Sequence, residues 1–204
     1  MTSTHLPGQR VPARLLARIA GVLYVLNTVT SLYSFYGPRN RLSFFSSPIA
    51  TAAYIAVVVL FYILFKPVSR KAALLAAAAG MAGNAMSLLS AFHLVAFRMI
   101  FMSIFGFYCA LVGYLIFRST FLPRVLGALM AFAGLGYLTF LWPRLGAALN
   151  PWNLIPGAMG EWGLTIWLLV KGVNQQRWNE RARKVAAQPA KKAEWQPKLP
   201  LSTD

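Results

Sequence analysis

Acidic residues are nearly missing from this chain: four Asp and Glu stand against 20 Lys and Arg in 204 residues. Charge of either sign is scarce, at 12% of residues, where a soluble domain carries about 25%. A sequence so poor in polar surface cannot spread its bases over a water-soluble face. The net charge of +16 is therefore not read as nucleic-acid binding. Hydrophobic content of 58% excludes intrinsic disorder. Asp204, the one aspartate, lies at the C-terminal end, which leaves no Ser–His–Asp triad. One cysteine, Cys109, allows no disulfide within the chain. Of two histidines, His5 lies in the N-terminal segment and only His93 near a long apolar run, and one such histidine cannot make a two-histidine zinc site or a bis-histidine haem. H-E-x-x-H, C-x-x-C, the Walker loop and G-x-G-x-x-G do not occur. The expectation is a non-enzyme without cofactor or metal.

What fills the space is apolar sequence in long uncharged runs. Between Arg18 and Arg39 lie 20 residues without Asp, Glu, Lys or Arg; between Arg41 and Lys66 lie 24, and between Lys71 and Arg98 lie 26. Runs of 19 separate Arg98 from Arg118 and Arg124 from Arg144. Residues 145–170 carry one charge, Glu161. A helix rising about 1.5 Å per residue needs about 20 apolar residues to cross a bilayer's hydrocarbon. Six such stretches predict an all-α integral membrane protein, a bundle of six transmembrane helices with short loops. The spans are expected near 16–36, 49–65, 72–93, 99–117, 125–142 and 155–170. The runs are too long and unalternating for barrel strands. Residues 1–15 form an N-terminal segment, 16–173 the membrane domain, and 174–204 a basic, partly disordered tail.

Charge position sets the threading. With the N-terminus inside, 16 bases fall on the inner side, and Arg39, Arg41, Arg98 and Arg144 on the outer. That imbalance predicts both termini in the cytoplasm. Spans two, four and six end alike, in Tyr62…Lys66, Tyr114…Arg118 and Trp167…Lys171. A ring one turn before a cation suits the headgroup level. Trp142, just before the 143–156 loop, and Trp152 within it suit the opposite interface. The first apolar run is broken by Asn27, Thr28, Thr30 and Ser31 and reads as an uncleaved span rather than a signal peptide.

Glu161 is the one acid inside a predicted span. Ten helical residues from Lys171 put it about 15 Å deep, near the bilayer midplane, where a carboxylate must face the bundle interior. Thr165 follows one turn on, and Gly157 precedes by one turn. Asn27, Ser31 and Ser34 make a polar stripe in span one; Gly80, Asn84 and Ser87 make one in span three. If these converge, Glu161, Thr165, Asn27, Ser31, Asn84 and Ser87 line an intramembrane polar pocket; the alternative is hydrogen-bonded glue between helices. Small residues recur at helical spacing, notably Gly106, Ala110 and Gly113 in span four and Gly127, Ala131 and Gly134 in span five, and predict close packing seams. In the tail, a helix continuing span six through Ala187 is expected until Pro189 breaks it, with Arg177, Arg181, Arg183 and Lys184 contacting anionic phospholipid headgroups.

Several stretches resemble one family in order and spacing: residues 17–24, 113–119 with 122–127, 133–137, and Gly160-Glu161 leading to 167–172. This is the bacterial multi-pass membrane family known as domain of unknown function 4386. The resemblance spans about 17–173, strongest in the second half, and Glu161 and Trp167 match its last-helix pattern. It implies a bacterial inner-membrane protein and no particular reaction. Two functional expectations stand: a pocket around Glu161 that binds or passes a small solute or proton, and a membrane scaffold or regulator acting through the basic tail.

Overall fold

The computed structural model describes residues 11–36, 38, 41–91 and 98–194, with side chains over 11–33, 38, 45–89 and 100–187. His5, His93, Ser34 and the sequence beyond Glu194 lie outside the described residues or side chains. The elements are α1 (Ala13–Tyr36), α2 (Arg41–Phe65), α3 (Arg70–Ala91), α4 (Arg98–Arg118), α5 (Arg124–Leu138), α6 (Pro143–Leu149), α7 (Ile155–Val170) and α8 (Gln175–Glu194). No strand occurs among the described residues. Among the described residues, five helices are long and apolar enough to cross a membrane: α1 to α4, and α5 with the single 3-10 turn that prolongs it. At 16 residues, α7 is shorter than these.

Each long helix packs on the next in sequence, from α1 to α5; α5 then packs on α7, and α7 returns to α1. The result is a closed ring of six helices. Its tightest seam joins α4 to α5, where the small residues meet antiparallel. A methyl group at Gly113 would come within 2.5 Å of the Ala131 amide nitrogen, and one at Gly134 within 2.7 Å of the Ala110 nitrogen. Backbones this close have no room for side chains, so the spacing of Gly106, Gly113, Gly127 and Gly134 sets the helix separation.

One end of the ring is capped by α8. Gly172, at φ +65°, turns the chain out of α7, and its N–H reaches back to the Trp167 carbonyl at 3.0 Å. Asn174 then caps α8, accepting from the Arg177 amide at 3.1 Å. This corrects the expected continuation of span six: α8 is a separate helix that folds back across the bundle, and it runs past Pro189 to Glu194. Four hydrogen bonds tie its start down. Arg14 N–H donates to Gln175 Oε1 (2.8 Å), and Asn174 N–H donates to the Phe121 carbonyl (3.1 Å). Trp178 Nε1 donates to the Leu64 carbonyl (2.9 Å), and Arg177 Nη1 to the Thr120 carbonyl (3.2 Å). The Leu64 carbonyl lies in the last turn of α2, among groups without an intrahelical donor, so α8 supplies what the helix end lacks.

The opposite end carries α6, a short helix in what the sequence suggested as plain loop, opened by Pro143 at its first turn. Asn153 is buried there and gathers the connection, donating to Thr139 Oγ1 (2.9 Å) and the Gly146 carbonyl (3.3 Å). Trp142 and Trp152 stand outside it, each 71% exposed.

Candidate functional site

The periodicity of α7 determines where Glu161 points. Gly157, Gly160, Leu164, Thr165 and Leu168 form its buried face, while Met159, Trp162, Ile166 and Val170 are exposed. Glu161 falls on the buried side, one turn after Gly157 and one turn before Thr165, and is itself half-buried. Across the interface, α5 supplies Tyr137, whose hydroxyl donates to Glu161 Oε1 at 2.7 Å. Gly157 makes that contact possible, because a side chain there would collide with the Tyr137 ring and hydroxyl. Phe105 of α4 holds the Tyr137 ring edge-on at 5.1 Å between centroids.

From Phe105 an aromatic cluster continues through the centre of the ring. Tyr54 of α2 lies 5.9 Å from Phe105, 5.7 Å from Tyr24 of α1 and 6.0 Å from Tyr108 of α4. Tyr24, Tyr54 and Tyr108 are buried; among the described residues none of their hydroxyls makes a well-formed hydrogen bond, although the Tyr54 hydroxyl lies near those of Tyr24 and Tyr108. All three stand within electrostatic reach of Glu161, as does Cys109. A carboxylate that already accepts one phenolic hydrogen bond, with three more hydroxyls nearby, can hold a proton or orient a small polar or cationic group.

The stripes expected to complete the pocket are arranged differently. Thr165 Oγ1 donates to the Glu161 backbone carbonyl (2.7 Å), and Asn84 Nδ2 to the Gly80 carbonyl (2.8 Å), each within its own helix. Asn27, Ser31 and Ser87 are half-buried. Among the described residues, no hydrogen bond joins Asn27, Ser31, Asn84 or Ser87 to the Glu161 carboxylate. The partner is a tyrosine that polarity alone did not single out. Position gives a signal for two of its neighbours: Tyr54 and Tyr108 sit in the middle of uncharged runs, whereas membrane tyrosines gather at the ends.

Residues 82–172 match the family described as a domain of unknown function (DUF4386). This is the family the sequence resembles. The DUF4386 match includes Glu161, Tyr137, Tyr108 and Phe105, while Tyr24 and Tyr54 precede it. No curated protein and no solved structure matches the chain.

At the α8 end two of the three predicted ring–cation pairs are in contact, in different forms. Arg118 donates to the Tyr114 hydroxyl at 2.9 Å, and the Lys171 ammonium lies 4.5 Å from the Trp167 ring centroid. Beside them, α8 and two hairpin turns enclose a groove of about 550 Å³, with Arg177, Arg181 and Lys184 in its wall. Arg183 is exposed and is not among the residues lining the groove.

Proposed function

We propose that this protein is a six-span bacterial inner-membrane protein, both termini cytoplasmic, in which the site around Glu161 binds and passes a proton or another small polar solute. The observation that carries the reading is the 2.7 Å hydrogen bond from Tyr137 to Glu161 on the inward face of α7. An acid at membrane depth is costly and by default marks an ion or proton pathway. The three buried tyrosine hydroxyls extend that polarity from α7 to α1, α2 and α4. Their tight enclosure favours the smallest cargo, the proton.

Counting α7 as the sixth span rests on its surroundings. Sixteen residues span about 24 Å, and its outward face of Met159, Trp162, Ile166 and Val170 is wholly apolar. Hydrocarbon is the medium such a face suits, and packing between α5 and α1 gives α7 the same environment as the five longer helices. The excess of Lys and Arg toward the α8 end supports a cytoplasmic placement of that end.

The test is proton flux in vesicles reconstituted with the full chain, followed by an internal pH dye after an imposed pH step. The Glu161→Gln variant is expected to fall to the leak of protein-free vesicles. Wild-type flux in that variant, or no flux above leak in the wild type, defeats the proton reading.

A further inference from the structure

The groove under α8 is independent of Glu161 and has its own chemistry. One wall is α8, where Arg177, Arg181 and Lys184 are spaced at i, i+4 and i+7 and so project to one side. The facing wall is Pro67 and Val68 of the α2–α3 turn with Thr120 of the α4–α5 turn. Val185 adds an apolar edge. The one acid in the lining, Glu180, accepts from Gln176 along its own helix at 3.3 Å, so three bases face one acid. Arg177 is partly committed, because its guanidinium holds the Thr120 carbonyl. That leaves Arg181, half-buried, and Lys184, exposed, to meet an incoming group.

Depth narrows what that group is. The turn contributing Thr120 follows Arg118 directly, and α8 begins just after Lys171. These are the two cations seated on Tyr114 and Trp167, the arrangement that suits the headgroup layer. The groove therefore opens at headgroup level, basic on one wall and apolar on the other. Given the inward placement of this end proposed above, the geometry points to a binding site for the phosphate headgroup of an anionic inner-leaflet phospholipid, held by Arg181 and Lys184. Arg183, equally basic and on the same helix but outside the groove, stands apart from it.

That separation supplies the test. The full-length protein is released from detergent into native mass spectrometry after titration with phosphatidylglycerol or phosphatidylcholine. Retention of phosphatidylglycerol over phosphatidylcholine is expected in the wild type. The double variant Arg181→Gln, Lys184→Gln should lose about tenfold or more in phosphatidylglycerol affinity, while Arg183→Gln stays near wild type. Lys184→Gln alone, at an exposed position, should show a smaller loss in the same direction. Inorganic phosphate added in excess should not displace the lipid. Equal losses in Arg183→Gln and the double variant would reduce the effect to general charge and overturn the site. Displacement by inorganic phosphate would overturn the lipid assignment, and an unchanged double variant would overturn both. None of these readouts depends on proton flux, so the site stands or falls apart from the role of Glu161.

Discussion

The two halves of the bundle bury different things. Toward α8, Leu64, Phe65, Phe121, Leu122, Leu168 and Val173 pack together, with Phe65 stacked on Phe121 at 6.0 Å. The polar groups around this plug, Trp178, Arg177 and Asn174, meet backbone acceptors or donors at the helix ends. From mid-height toward α6, buried apolar contacts give way to the clustered hydroxyls of Tyr24, Tyr54 and Tyr108, which make no well-formed hydrogen bond among the described residues, and to Glu161 held by Tyr137. Beyond Tyr24, the described side chains of α1 are half-buried or exposed, whereas Ala13, Ala17 and Ala20 before it are buried. One half is built as a dry closure, and the other tolerates polarity. The contrast teaches that a carboxylate can be kept inside an apolar helical bundle when one end of its compartment is sealed by well-matched apolar packing.

The largest effect should come from opening the closure. Phe65→Ala removes a ring that stacks on Phe121 and meets Phe61 edge-on, and is expected to cost about 3 kcal/mol, read as a lower midpoint in denaturant titration of the protein in detergent. Tyr137→Phe should cost less, about 1–3 kcal/mol, because it strips the Glu161 carboxylate of its hydrogen bond while leaving the ring packed on Phe105. The same variant should impair proton flux alongside Glu161→Gln; intact flux would separate the tyrosine from the site. Tyr54→Phe is the sharpest small test. Its hydroxyl makes no well-formed hydrogen bond among the described residues, so removing it should change stability by no more than about 0.5 kcal/mol or raise it. A loss as large as that of Tyr137→Phe would mean that the hydroxyl cluster is bonded in the membrane, and the contrast between the halves would narrow.

Much of the architecture is legible along the chain. Uncharged runs mark the long helices to within a few residues, because crossing hydrocarbon imposes one length and forbids charge. The seam between α4 and α5 was also readable, since Gly and Ala at helical spacing can serve close approach and little else. Three features were not. The α8 fold-back hangs on Gly172 taking a left-handed conformation, and the composition of the tail reads equally as a continued helix. The α6 helix is too short to show a period. Tyr137 pairs with Glu161 across 24 residues of sequence, and nothing local distinguishes it from an interfacial tyrosine.

By itself the sequence determined that most of this chain lies in long apolar runs suited to hydrocarbon, that its bases gather between those runs and in the tail, and that a single acid, Glu161, interrupts the last of them. These follow from transfer free energies, which are properties of each segment alone. Only the tertiary structure decided that α7 closes the ring between α5 and α1, that Glu161 meets Tyr137 rather than Asn27 or Asn84, and that Arg181 and Lys184 share a groove from which Arg183 is excluded. Between apolar helices in lipid there is little hydrophobic preference to choose neighbours. Side order and pairing are set by the fit of backbones and a few hydrogen bonds, which exist only once the helices have met.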